Sequence, residues 1–354
     1  MTMPEMTWER TMPRPGLRIG VDTHADVHVA VAIDELGRRV AHRSVPTTGE
    51  GFAALLAWAT DLGSIVVWGV EGTGSYGMSL VRFLRDADMT VVEVCRPDRR
   101  TRRDKGKSDL IDAEAAARTV LGDRGIGEPK SADGPVESLR QLRAARRSAV
   151  KASTQASHQL SALMVTAPIA LRGELVGLTK LARARRCASF RPRDAATPGE
   201  ATKHAMRCLA RRWLALRDEI AALDRLIGPI VTSHAAALLE RPGVGPEVAT
   251  TLLITVGDNP QRLGDERRFA ALCGVSPIPA SSGKTNRHRL NRGGDRHANA
   301  ALHQIVITRM KHDPRTIEYV QRRTKEGRTQ REIMRCLKRY VAREIYPIVT
   351  RLAS

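Results

Sequence analysis

The stretch Leu17-Arg18-Ile19-Gly20-Val21-Asp22-Thr23-His24 decides the reading of the first third of the chain. A short apolar run ending in an acid reads as a buried strand that delivers a carboxylate to a sheet edge. His28 to Ile33 follows as a second strand, and Asp34-Glu35-Leu36-Gly37 supplies turn chemistry before Arg39 to Val45 returns as a third. Connections this short predict an antiparallel meander. Gly51 to Leu62 then has helical apolar spacing at Phe52, Leu55, Leu56 and Trp58. Ile65 to Val70 reads as a buried strand, Met78 to Leu84 as a helix and Val91 to Val94 as another strand. Asp109 to Leu121 is an Ala-rich helix with Ser108 placed as its N-cap. The order βββαβαβα is that of a ribonuclease-H-like mixed sheet with helices, and it differs from a dinucleotide-binding doubly wound sheet.

Working outward, Glu128 to Pro135 is a polar break that closes this α/β region. Val136 to about Thr166 is Arg-rich and free of turn residues, so it predicts a long helix. A second break, Arg191 to Glu200, precedes another long helix over about Thr202 to Leu226. Two such helices in succession predict a hairpin or coiled-coil arm. From Leu239 the chain reads as a mainly helical third region. The expected divisions are therefore a disordered tail (1–16), an α/β domain (17–127), a helical linker (136–235) and a C-terminal domain (236–354).

The chain has 354 residues and a formal net charge of +20, with only 3% aromatic residues. Residues 281–354 hold 18 Lys or Arg against 6 Asp or Glu, so +12 of the excess sits in the last fifth. Charge concentrated in this way fits a polyanion-contacting surface better than uniform solubility charge. No apolar run approaches the ~20 residues that span a bilayer, which argues against a membrane protein. Met1 to Pro15 lacks the apolar segment of a signal peptide, and a cytoplasmic, nucleoid-associated location is expected. Five scattered cysteines without a C-x-x-C pair give no zinc site and no disulfide framework.

Asp22 ends the first strand, and Glu71 closes the Ile65 to Val70 strand just before the bend Gly72-Thr73-Gly74. Asp109 and Asp112 lie three apart, on one face of their helix. Like charges at that spacing repel unless a cation sits between them. Four carboxylates at strand ends and one helix face match the oxygen-rich donor set that magnesium takes. Two Mg²⁺ ions roughly 3.5–4 Å apart can activate the attacking oxygen and stabilise the leaving one in phosphodiester cleavage. Mn²⁺ is the expected substitute ion. The nearby basic run, with Arg99, Arg100, Arg102, Arg103, Lys105 and Lys107, suits phosphate contact. His24, His303 and His312 have no metal-ligand partners at useful sequence spacing.

In the C-terminal region, Ser281 and Ser282 precede Gly283 in an exposed turn, with Lys284, Arg287, Arg289 and Arg292 close behind to stabilise a phosphorane. Pro242-Gly243-Val244-Gly245-Pro246 reads either as a plain interhelical turn or as the hairpin of a helix-hairpin-helix element. In the second reading Gly243 and Gly245 let backbone N–H groups approach a phosphate. Thr329 to Ile345 is a basic amphipathic helix, carrying Arg331, Arg335, Lys338, Arg339 and Arg343 on one side.

At these residues the chain resembles the IS110 family of insertion-sequence transposases and the related Piv-type DNA invertases. Ile19 to His24, Glu71 to Tyr76 and Lys107 to Ala113 look like the DEDD signature of that family. Pro242 to Pro246, Phe269 to Gly274, Pro277, Ser281 to Lys284 and Arg292 to Asp295 look like its C-terminal block. The resemblance covers essentially residues 17 to 350. It implies a RuvC-like domain bearing the four acids, a coiled-coil linker and a C-terminal transposase domain with a nucleophilic serine. That serine is Ser282 or Ser281, with Ser282 favoured because it adjoins the glycine. It further implies a covalent 5′-phosphoserine link and a composite site assembled in a homo-oligomer, dimer or tetramer. Donor and target DNA would be the substrates, chosen by pairing with a structured non-coding (bridge) RNA. A hydrolytic nuclease of the junction-resolvase kind and a non-catalytic nucleic-acid-binding protein are the two alternatives on the residues alone.

Overall fold

The computed structural model describes residues 16–94, 108–123, 125–280, 288–291 and 293–351, and they divide into two compact units, 1–132 and 133–354. In the first unit, β1 (Leu17–Thr23), β2 (Val27–Ile33) and β3 (Arg39–Pro46) form the expected antiparallel meander. Asp34 makes the β2–β3 turn, its carboxylate accepting from the backbone N–H of Leu36 and of Arg38. After α1 (Gly49–Leu62), β4 (Ile65–Glu71) returns parallel to β1. After α2 (Met78–Asp86), β5 (Val91–Val94) adds parallel to β4. Helix α3 (Asp109–Leu121) and the two-residue β6 (Ile126–Gly127), antiparallel to β5, complete a sheet of order β3-β2-β1-β4-β5-β6.

Every residue of β1 is buried, because both faces of this central strand are covered. On one face Ile19 and Val21 of β1, Trp68 and Val70 of β4, and Phe52, Leu55, Leu80 and Leu84 of α1 and α2 share one apolar cluster. On the other face lies α3, whose Ala113 and Ala117 pack with Val31 and Ile33, and whose Ala116 and Val120 pack with Val94.

That second face is unusually close. A Cβ added at Gly20 would stand 2.1 Å from the Ala113 carbonyl oxygen and 2.2 Å from the Ala117 nitrogen. At Gly69, the register partner of Gly20 on β4, it would stand 2.3 Å from a Val120 methyl. Two adjacent strands therefore present glycine to an alanine-rich helix, and the helix backbone lies directly on the sheet. Ser108 occupies the N-cap position of α3 in extended conformation, but its side chain makes no capping hydrogen bond, so the sequence-based expectation holds for its place and not for its bond.

The second unit begins with α4 (Pro135–Thr166), whose first turn is tied by Asp258, which accepts from the backbone N–H of Val136 (2.7 Å) and Glu137 (3.0 Å). Its long partner α7 runs from Pro198 to Leu239, well beyond the predicted Thr202–Leu226. Thr197-Pro198-Gly199-Glu200 is a helix start and not part of a break: the Thr197 hydroxyl accepts from Glu200 N–H and Pro198 takes the first helical position. Pro229 is carried inside α7, and Ala235 leaves helical geometry near its end. Two short helices, α5 (Ile169–Gly173) and α6 (Lys180–Ala188), interrupt the arm where none was predicted. They close a small core with Leu160, Leu171, Cys187, Met206 and Trp213.

The chain continues with α8 (Pro246–Val256), a 3₁₀ turn (Pro260–Leu263), α9 (Glu266–Leu272) and the minimal ribbon β7 (Ile278–Pro279) with β8 (His288–Arg289). Helices α10 (Arg296–His312), α11 (Pro314–Lys325) and α12 (Gln330–Arg351) follow. Their shared core includes Leu238, Leu252, Phe269, Leu302, Ile305, Leu337 and Ile345. No described helix is long and apolar enough to cross a membrane.

Gly20→Ala should destabilise the first unit by about 3 kcal/mol or more, since the clash is with backbone and cannot relax into a rotamer. Gly49→Ala, where an added Cβ meets nothing within 4 Å, should change stability by no more than about 1 kcal/mol. Urea unfolding of both variants, followed by circular dichroism, checks the pair.

Candidate metal centre

Side chains alternate across a strand, so residues two apart share a face. Asp22 is two beyond Gly20 and Glu71 two beyond Gly69, which puts both acids on the sheet face that carries α3. The two strands thus repeat one device, Gly-Val-Asp at 20–22 and Gly-Val-Glu at 69–71, in parallel register through Gly20↔Gly69 and Val21↔Val70. The glycines admit the helix, and the acids then stand at its N-terminus, where Asp109 and Asp112 form the first turn. A helix N-terminus favours negative charge, which offsets part of the cost of gathering these carboxylates.

Asp22, Glu71 and Asp112 are all buried, while Asp109 is exposed. Asp22 and Asp109 meet through His24, in the β1–β2 turn. Its Nε2 lies 3.2 Å from Asp22 Oδ2 and 3.3 Å from Asp109 Oδ1. Ligand atoms of these three residues all lie within 4.8 Å of one another, close enough for one cation to touch each. Glu71 and Asp112 fall outside that set. Asp112 is nevertheless near enough to act on Asp22 electrostatically, and Glu71 is held beside β1 by the Thr23 hydroxyl, which donates to its backbone carbonyl at 2.8 Å.

His24 is therefore the residue that sequence reasoning passed over. Its expected lack of ligand partners is not met, because Asp22 stands two residues before it and the second partner, Asp109, comes from α3, some 85 positions later. The signal was present in the motif Asp22-Thr23-His24, which places a second donor two residues after the acid.

Burial raises the Asp22 carboxyl above its ordinary value of 3.8, and the neighbouring Asp112 and Asp109 push the same way against the pull of His24. A carboxyl whose native pKa exceeds its unfolded one stabilises the fold fully only below the unfolded value. That contribution is lost as pH rises through the native value, so ionised Asp22 weakens the protein at neutral pH. A divalent cation relieves such a site. A buried and an exposed carboxylate with an imidazole nitrogen between them suit Mg²⁺ or Mn²⁺, with the nitrogen favouring Mn²⁺.

The other expected site residues divide into two groups. Ser281, Ser282, Lys284, Arg287 and Arg292, and the basic run Arg99, Arg100, Arg102, Arg103, Lys105 and Lys107, lie outside the described residues. Arg289 is exposed on β8. Gly243 has φ +80°, and an added Cβ would stand 3.0 Å from the Ile305 carbonyl oxygen, so close approach to α10 accounts for this glycine. Gly245, at the N-cap of α8, has open space around it.

A family model described as a transposase matches residues 19–167, which include the whole acid cluster. A second, described as a transposase of the IS116/IS110/IS902 family, matches residues 235–321. An insertion element IS110 uncharacterized 43.6 kDa protein of Streptomyces coelicolor is 29% identical over 129 residues, 36% of this chain and 32% of that relative's length. The match thus spans about a third of the relative. Both blocks agree in order with the acid motif and the C-terminal motif, and the chain belongs to the IS110 family of transposases.

In metal-free buffer at neutral pH, Asp22→Asn should melt at a higher temperature than the wild type, because it removes an ionised, partly desolvated carboxylate. Adding Mg²⁺ at about a hundred times its Kd should stabilise the wild type by about 2.7 kcal/mol and the variant by much less. Differential scanning fluorimetry across a Mg²⁺ titration reads both effects, and a wild type indifferent to Mg²⁺ would contradict the assignment.

Proposed function

We propose that this protein is a transposase acting on DNA, cleaving and exchanging strands with the help of divalent metal held by Asp22, Glu71, Asp109 and Asp112. The observation that carries this reading is the convergence of Asp22 and Asp109 on His24 within a family described as transposases. His24 joins the acids as a metal ligand or as the group that orients Asp109. The strand order, with an antiparallel β3-β2-β1 edge continued by parallel β4 and β5, supports a RuvC-like, ribonuclease-H-type domain over residues 17–127. The paired helices of 136–235 would be the linker arm, and 236–354 the transposase domain.

Bound at the cluster, Mg²⁺ would supply charge neutralisation at the scissile phosphate. The chain's own groups do the rest. Asp22 and Glu71, fixed at the ends of two registered strands, would hold the cation in place and not touch the anionic phosphate themselves. Ser282, or Ser281 in its place, attacks the phosphorus through Oγ. The P–O bond to the 3′ oxygen breaks, the serine proton passes to that oxygen, and a 5′-phosphoserine remains. A 3′-hydroxyl from the partner strand then attacks the phosphoserine, and the serine leaves with a proton restored. The energy of the phosphodiester is conserved through both transfers, which suits strand exchange without an external cofactor. Arg287, Arg289 and Arg292 are placed in sequence to meet the charge that develops on the phosphorane. Target choice is assigned to pairing with a structured non-coding RNA, and the working unit to a homo-oligomer.

The full chain, supplied with Mg²⁺, the element's junction DNA and RNA transcribed from the element's end, should form a protein–DNA adduct that survives a denaturing gel. Asp22→Asn and Asp109→Asn should lower strand cleavage by at least about a hundredfold. Ser282→Ala should abolish the adduct and Ser281→Ala should retain it. Cleavage by the wild type with no adduct at any time would mean hydrolysis and would overturn the serine mechanism.

A further inference from the structure

The second unit holds a groove of about 1480 Å³ over the N-terminal half of α12, walled by the turn between α11 and α12, by Gly274 to Pro277 and by β8 with the two residues after it. Arg331, Arg335 and Lys338 follow one another at helical spacing along it, and Arg289 and Arg328 line it from the ribbon and the turn. Among the described residues, Arg289 and Arg331 have no carboxylate partner, and Arg328 and Arg335 feel Glu332 electrostatically without forming an ion pair with it. The arginines that do form ion pairs are accounted for, Arg339 by Glu266 and Arg323 by Glu326. The acid in the groove, Glu332, is already used: it accepts from Thr329 N–H and from the Thr329 hydroxyl, both at 2.9 Å, as the capping box that starts α12. Those bonds hold its carboxyl below the ordinary range, so it stays charged and engaged with the helix start.

The wall is also fixed. Lys338 is buried, with its ammonium donating to Asn299 Oδ1 at 2.9 Å. Asn299 in turn donates to the carbonyls of Cys273 and Gly274. A cavity that sets four guanidiniums free of ion pairs around a single carboxylate, Glu332, is costly in self-repulsion unless a polyanion neutralises the excess. Guanidinium forks match phosphate oxygens bidentately, so a sugar–phosphate backbone is the fitting polyanion. One more feature narrows the choice. Tyr340 lines the same groove, is 51% exposed, and stands edge-on to Tyr319 at 5.8 Å. In a chain with 3% aromatic residues, an exposed ring beside a phosphate-binding wall offers a stacking platform that only an unpaired base can use.

We propose that this groove holds a single-stranded polynucleotide, its phosphates on Arg289, Arg328, Arg331 and Arg335 and an unpaired base on Tyr340. The assignment rests on the nucleic-acid reading above for the class of polymer, and its test reads binding alone. Fluorescence anisotropy of the full chain in EDTA would compare labelled single-stranded DNA, single-stranded RNA of the same sequence, and the duplex, each about twelve units long. The double variant Arg331→Ala/Arg335→Ala should bind either single strand at least about tenfold more weakly, with the log–log salt slope reduced by about 1.4 for the two lost phosphate contacts. Tyr340→Leu keeps bulk against Tyr319 and should weaken single-strand binding about fivefold or more, while Tyr340→Phe binds as the wild type does. Neither tyrosine change should alter duplex affinity, and melting curves identical to wild type would confirm the fold. The strand held more tightly, DNA or RNA, identifies the occupant. Unchanged single-strand affinity in the arginine pair or in Tyr340→Leu, or an equal loss on duplex, would overturn the groove assignment. Normal groove behaviour in a protein that never cleaves DNA would instead count against the catalytic reading.

Discussion

Helix α3 reaches the centre of the sheet only where two neighbouring strands withhold their side chains, at Gly20 and Gly69. Any Cβ at those positions would enter the helix backbone or the Val120 side chain, and the helix would have to rise off the sheet. The first-turn acids of α3 would rise with it. The pairing of glycine with Ala113, Ala116 and Ala117 is thus a distance-setting contact, and the carboxylate cluster is its consequence. The strand alternation then does the aiming. An acid two residues past each glycine must project from the face where the helix begins.

The electrostatic state of the cluster follows from the same geometry. Asp22 is buried beside Asp109 and Asp112, and among the described residues His24 is the group that opposes the resulting rise in its pKa. A fold that keeps such a group at neutral pH gives up stability for a site able to bind a cation, a trade expected of functional rather than structural acids. His24 makes the arrangement more specific. One ring nitrogen between two carboxylates fixes the relative position of a β-turn and a helix N-terminus that are far apart in sequence.

Much of this was legible in the residues. The meander, the place of β4 and β5 in the element order, and the bounds of α3 follow from alternation, short turns and a single alanine-rich stretch, whereas the parallel pairing of β4 and β5 came with the structure. Asp22 and Glu71 were recognisable as strand-end acids. What the sequence hid was tertiary. Gly20 and Gly69 look like ordinary small residues until a helix is laid on them, and His24 acquires Asp109 only when α3 packs. In the second unit, Thr197 to Glu200 carries proline and glycine and so resembles a break, whereas the capping bond makes it a helix start. Helices α5 and α6 are too short for periodicity to register, and their stability comes from the small core they close with α4 and α7. The excess positive charge of the last fifth was plain, but its sorting into paired and unpaired arginines needed the positions of Glu266, Glu326 and Thr329.

The claim on which the account stands is that the face created by Gly20 and Gly69 is a cation site. Crystals of the protein grown with Mn²⁺ and measured at the manganese absorption edge test it most directly. The account predicts an anomalous peak in contact with carboxylate oxygens of Asp22 and Asp109, at about 2.2 Å, with a second peak roughly 3.5–4 Å away toward Glu71 and Asp112. Manganese bound elsewhere in the crystal, with His24 still hydrogen-bonded between two metal-free carboxyl groups, would contradict it.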